Sequence, residues 1–166
     1  MRKSSAAYPQ NLTNFGIQIV NSLKKVHFNY ADRKLHLKGK EKIKAHIVHL
    51  FTREKKKLEE IRYIFCSDEY LLQINKDFLQ HDYYTDIITF DLSEGPATTA
   101  EVYISSDRVK DNALTQGTTF EQEMLRVLFH GALHLCGFKD KSKVQAAEMR
   151  KKEEEYLLSY TRKKDK

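Results

Sequence analysis

Cysteine, proline and glycine are scarce in this sequence, and tryptophan is absent. The 166 residues hold two Cys, two Pro and six Gly. Two cysteines, Cys66 and Cys136, cannot build a disulfide framework, and neither lies in a C-x-x-C pair. That excludes a disulfide-stapled scaffold and a cysteine-ligated zinc module, and it points to a reducing, cytoplasmic setting. So little Gly and Pro leaves no punctuation for a linker or second domain, and the length fits one domain. No run of 18 apolar residues is present, so no membrane-spanning helix and no membrane partner are expected. The opening MRKSSAAYPQNLTNF lacks the apolar segment of a secretory signal. Residues 1–25 read as a loose leader, 26–160 as the folded domain and 161–166 as a basic tail.

Acidic residues are also in deficit, 23 against 29 Lys and Arg, for a net charge of +6 and a pI near 9.2. Much of the excess is terminal. Arg2 and Lys3 supply two charges and residues 162–166 a net three, which leaves the body near neutral at +1. Overall charge therefore does not by itself identify a nucleic-acid partner. The lysine-rich stretches Lys38 to Lys44 and Arg53 to Lys57 offer a local phosphate-facing surface.

What is present is regular patterning. KVHFNY alternates Val26, Phe28 and Tyr30 as a strand does. Residues 39–56 carry Ile43, Ile47, Val48, Leu50 and Phe51 at helical spacing. IRYIFC reads as a strand, and Ser67 is placed to cap a helix through SDEYLLQIN. TDIITFDL (85–92) and EVYIS (101–105) are further strands around the turn-like SEGPATTA. A helix from Asp107 should stop at Gly117. Thr118 with Glu121, or Thr119 with Gln122, opens the next, which runs to Gly137. Ser142 with Gln145 opens a last helix with Met149, Tyr156, Leu157 and Tyr160 on its buried stripe. The order β α β α β β α α α predicts an α+β fold with a small mixed sheet of about four strands and a central helix carrying the chemistry.

That chemistry lies in HGALHLCGFKD, residues 130–140. On a helix His130 and His134 project from one face and can share a metal ion. Gly137 ends the helix, and a chain reversal there can return Asp140 to the two imidazoles. Two nitrogens and one carboxylate leave a coordination position open, the mark of a catalytic rather than a structural site. Seven histidines make such a pair by chance in roughly a quarter of chains of this length. Placement sharpens it, because both rings lie in the apolar segment MLRVLFHGALHL, where unpaired imidazoles are costly. Gly131, mid-helix, costs ~1 kcal/mol relative to Ala and predicts a close approach at that face.

The segment resembles the signature of the YbeY family, H-G-x-L-H-L-x-G-x-x-H, whose three histidines are zinc ligands. NKDFLQHDYYTDIITFDL is similar to the family's N-x-x-Y-R-x-K-D-x-P-T-D-V-L-S-F-P, and AEVYIS to its G-D-I-x-I-S strand. The resemblance runs in order over roughly residues 26–158. It implies a metal-dependent endoribonuclease, single-strand-specific, that matures small-subunit (16S) rRNA and serves ribosome quality control. It also implies one Zn2+ per chain, with other divalent ions possible, and rRNA, the ribosome and small-subunit assembly factors as partners. Two positions depart from the pattern. Asp140 stands at the third histidine, which keeps a ligand. Leu79 stands at the family's arginine, which removes a cation suited to a transferring phosphoryl group and leaves the catalytic residues unassigned. Thr85 and Asp86 match the T-D pair and, with His81 in its polar turn, are expected to shape the substrate groove.

Two other functions fit the same ligand set. One is a zinc hydrolase of another class, peptidase-like, although Gly131 stands where H-E-x-x-H enzymes carry their general base. The other is a non-catalytic ribosome-assembly factor with a structural metal, which Leu79 favours. Elsewhere, Cys66 and Cys136 are expected as core thiols, and His46 and His49 as a half-buried or solvated face. Tyr83 and Tyr84 are expected to pack beside the strand rather than stack on bases.

Overall fold

The structure is a computed structural model that describes residues 20–162. Most of the expected leader (1–19) and the end of the basic tail (163–166) lie outside the described residues. After a helical turn at residues 20–23, the elements are β1 (Val26–Tyr30), α1 (Lys40–Arg53), β2 (Lys57–Cys66), α2 (Asp68–Leu79), β3 (Ile87–Asp91), β4 (Ala97–Ser105), α3 (Ser106–Gln116), α4 (Phe120–Leu135) and α5 (Lys143–Thr161). Their order is the one the patterning predicts.

The four strands form one mixed sheet in the order β1-β2-β4-β3. β1, β2 and β4 run parallel, and β3 returns antiparallel beside β4. Two strands are longer than periodicity suggests. β2 begins at Lys57, four residues before IRYIFC, because its pairing with β4 shifts between Leu58 and Glu60. Leu58 and Ile61 stand at opposite phases of a strict alternation, yet both are buried, since the irregularity reverses which face the strand presents. β4 begins at Ala97, inside the segment read as a loop, where small and β-branched residues pair with Lys57 to Ile61 and shorten the turn to 92–96. β3 is confined to Ile87–Asp91.

Helix ends follow local chemistry. Ser67 accepts from the Tyr70 amide, Thr119 from Gln122, and Ser142 makes a reciprocal capping box with Gln145. Of the two possible starts for α4, the Thr119 cap is the one formed. The main core joins one sheet face to α1, α4 and α5 through Val26, Ile61, Tyr63, Phe65, Val102, Leu50, Phe129 and Tyr156. A smaller cluster of Cys66, Leu71 and Ile88 lies under α2. Met149 and Leu157 are also buried, and Tyr160 is partly so. α4 is the central helix, touching α1, α3, α5, β3 and β4. It approaches the sheet closely at Gly131, where a Cβ would stand 2.9 Å from Ile87 Cδ1 and 3.1 Å from Val102 Cγ1. The mid-helix glycine thus sets how deeply the histidine helix seats on β3 and β4.

Candidate metal centre

His130 and His134 lie one turn apart on the last turns of α4, with their rings edge to face at 4.5 Å. The helix ends in a Schellman-type turn. Phe138 N–H donates to the Leu133 carbonyl at 3.1 Å, and Gly137 takes φ +102°, a backbone conformation suited to glycine. This turn has two consequences for the site. The Phe138 carbonyl arrives 2.9 Å from His134 Nδ1, and the chain reversal brings Asp140 Oδ2 to 3.2 Å from His134 Nε2 and 3.4 Å from His130 Nε2.

The two Nε2 atoms are 3.0 Å apart. A carbonyl only accepts, so His134 carries its proton on Nδ1, and its Nε2 presents a lone pair. His130 Nδ1 faces Glu153 Oε1 at 2.6 Å and donates to that carboxylate, so its Nε2 presents a lone pair as well. With both rings neutral, two nitrogen lone pairs and a carboxylate oxygen converge with no proton between them. Such a cluster is stable around a cation. Its edges of 3.0, 3.2 and 3.4 Å match the edge of about 3.3 Å that a tetrahedral ion with bonds of 2.0–2.1 Å requires. Among the described residues, this is the group of histidine, cysteine and acidic side chains that meets the spacing for a metal.

The surrounding field has the same sign. Burial lowers the His130 pKa, but the Glu153 hydrogen bond and the charges of Glu153, Asp86 and Asp140 raise it further, and it ends above the ordinary histidine value. Positive charge is favoured there. Glu153 is itself 5 % exposed, held by Arg126 at 3.3 Å and Arg150 at 3.5 Å. Arg126 also faces buried Glu123 at 3.6 Å and Glu154 at 2.7 Å. This ion network behind His130 was not read from the sequence. Its signal is present: Glu153 sits between Met149 and Tyr156 on the apolar stripe of α5, where a carboxylate needs a partner.

The centre opens into a groove of about 630 Å3 lined by His81, Thr85, Asp86, His130, His134 and Asp140, and also by Leu79 and Lys141. The expected groove residues and the triad are thus brought together. Asp86 accepts from Asn112 Nδ2 at 3.1 Å, and burial pushes its carboxyl above the ordinary range, against the pull of His130. Thr85 Oγ1 donates to the Ile87 carbonyl at 3.3 Å. Leu79 is 42 % exposed on the groove rim. Lys141, not singled out in the sequence, is the one lysine or arginine of the lining.

Tyr83 and Tyr84 depart from expectation. They are 57 % and 51 % exposed instead of packed, because the 80–86 segment is irregular loop before β3 and leaves both rings open to solvent. The remaining side chains behave as expected. Both thiols are buried, and burial pushes each to about 12. His46 is half-buried on α1, its Nε2 3.0 Å from the Tyr156 carbonyl.

Comparison with known proteins identifies the family. The family profile described as Endoribonuclease YbeY matches residues 25–161. A curated Endoribonuclease YbeY from Cytophaga hutchinsonii is 48 % identical over 133 residues, covering 80 % of this chain and 93 % of that protein. One from Flavobacterium johnsoniae is 42 % identical over 135 residues, covering 81 % and 96 %. Among solved structures, the solution structure of TM1509 from Thermotoga maritima superposes with a TM-score of 0.56 at 28 % identity, covering 81 % of this chain and 88 % of that one. With the profile spanning most of the chain and relatives of this identity matched over nearly their full length, the chain belongs to the YbeY family.

Proposed function

We propose that this chain is a metal-dependent endoribonuclease that cleaves single-stranded RNA and acts in maturation of small-subunit rRNA and in ribosome quality control. The observation that carries the reading is the convergence of His130 Nε2, His134 Nε2 and Asp140 Oδ2 at the head of an open groove. These three residues would hold one zinc or a similar divalent ion. When bound, that ion supplies a Lewis acid for a phosphate oxygen and lowers the pKa of a water molecule. The oxygen donor of Asp140 makes manganese more tolerable than an all-histidine set would.

The protein's own groups do the rest. Glu153 fixes the His130 ring and its tautomer, and the Phe138 carbonyl does the same for His134. Lys141 offers the groove its permanent cation for an anionic phosphodiester, at the side of Asp140. His81, Thr85 and Asp86 line the path of the substrate. The buried free thiols suit a reducing compartment such as the cytoplasm, and no described helix is long and apolar enough to cross a membrane. A peptidase reading has less support, because Gly131 packs on the sheet where a general-base glutamate would stand. A purely structural metal has less support too, because such sites close with four protein ligands.

Incubating metal-loaded and chelated protein with structured rRNA fragments and with a peptide pool separates the three readings. The expected result is RNA cleavage that chelation abolishes and zinc restores, with the peptides intact. Intact RNA under metal-loaded protein that still binds ribosomes would overturn the nuclease reading in favour of an assembly factor.

A further inference from the structure

Two exposed rings, His81 and Tyr83, line the groove of the metal centre. Tyr83 and His81 stack face to face, with centroids 5.1 Å apart and planes 21° from parallel. Tyr83 Oη lies 3.0 Å from His81 Nδ1, which fixes the two rings to each other. The segment that carries them is anchored from below by Asn75, 2 % exposed, whose Nδ2 donates to the Tyr83 carbonyl at 2.9 Å. The Asn75 carbonyl accepts from the His81 amide at 3.1 Å. Among the described residues no third ring packs on the pair, and Tyr83 is 57 % exposed. A pre-ordered aromatic face is thus presented to solvent in the same groove as the metal triad.

We propose that the His81–Tyr83 pair is the stacking platform for one unpaired nucleobase next to the scissile phosphate, and that it gives the enzyme its preference for single strands. The proposal rests on the reading of the groove as an RNA-cleaving site. Stacking on aromatic side chains tolerates any base, since every base has a π face, and it suits a nuclease that must act on varied sequence. It also discriminates by strandedness. In a duplex both faces of a base are covered by its neighbours, so only an unstacked base can settle on the platform. Pre-ordering by Asn75 and by the Tyr83–His81 contact lowers the entropy cost of the contact. Lys141 in the same lining lies where the adjoining phosphate can reach a cation.

The test uses the metal-loaded full chain and a single-stranded oligoribonucleotide in which one abasic nucleotide is stepped along the sequence. With the wild type, an abasic site at one position beside the cut should lower kcat/KM about tenfold, within the range for loss of one stacked base. Tyr83→Leu should lower kcat/KM on the intact strand by a similar factor and remove the dependence on abasic position. Tyr83→Phe, which keeps the ring, should recover most of the loss. The thermal midpoint should not move, because the side chain is exposed. Tyr83→Leu that cleaves like wild type, or that stays sensitive to the abasic position, overturns the platform. Anisotropy binding of the same strands to chelated protein isolates this proposal from the nuclease reading. If wild type cuts nothing, the nuclease reading fails. The platform then stands only if binding prefers single strand over duplex and loses that preference in Tyr83→Leu.

Discussion

Both histidines of the metal centre owe their orientation to a neighbour that is not a ligand. His130 is oriented by Glu153, and Glu153 by two arginines. Groups that orient histidine ligands typically account for 10–100-fold in metal affinity. Glu153→Gln, which removes the charge and leaves an amide facing Arg126, is expected to weaken zinc binding about tenfold in a chelator competition assay. Unchanged affinity would mean that the contact is only structural. Lys141 acts on the substrate side. Lys141→Met should leave zinc affinity unchanged while making the salt dependence of RNA binding shallower by about 0.7 in log–log slope, the contribution of one phosphate contact on a single strand. An unaltered slope would remove Lys141 from the substrate path. The grouping of His130, His134 and Asp140 was legible because the helical spacing, a weak signal alone, and the glycine stop coincide with the family signature. Glu153 and Lys141 were not read: a carboxylate on the buried stripe of α5 announces that it needs a partner but not that the partner is His130, 23 residues away, and a lysine in a polar loop looks the same in sequence whether it meets solvent or a groove.

At the scale of elements, the placement of α4 on β3 and β4 sets how closely the histidine helix seats against the groove. Gly131 permits a contact that a methyl group would crowd, against the stiff Val102 at 3.1 Å and the end of Ile87 at 2.9 Å. Gly131→Ala gains about 1 kcal/mol of helix propensity. Overpacking a tight interface costs about 1–3 kcal/mol, so the expected balance is a destabilisation of about 1 kcal/mol in chemical denaturation. A stabilised variant would contradict the close approach. Element order and caps were legible from local chemistry alone, as Ser67, Thr119 and Ser142 each cap the helix they precede. The start of β2 was hidden by the pairing shift at Leu58/Glu60, which breaks the alternation that marks a strand. The start of β4 was hidden because ATTA has little apolar content of its own and becomes strand through its partner Lys57 to Ile61. The exposure of Tyr83 and Tyr84 depends on the path of a loop, which aromatic content cannot predict.

At the scale of the whole molecule, the two buried thiols report whether its two hydrophobic clusters open together. Cys66 lies in the small cluster under α2 and Cys136 in the main core, and burial raises both thiols to about 12. A raised pKa keeps both in the unreactive thiol form at neutral and mildly alkaline pH. Neither cysteine should react with a thiol reagent until the protein unfolds, and both should then label at the same rate. Fast labelling of one alone would divide the molecule into separately opening parts. The central claim, that His130, His134 and Asp140 form a metal centre, is tested most directly by equilibrium zinc binding to wild type, Asp140→His and Asp140→Ala. One ion per chain in wild type, retained binding in Asp140→His and an affinity lowered at least tenfold in Asp140→Ala are the predicted results. Zinc bound by Asp140→Ala with unchanged stoichiometry and affinity would contradict it.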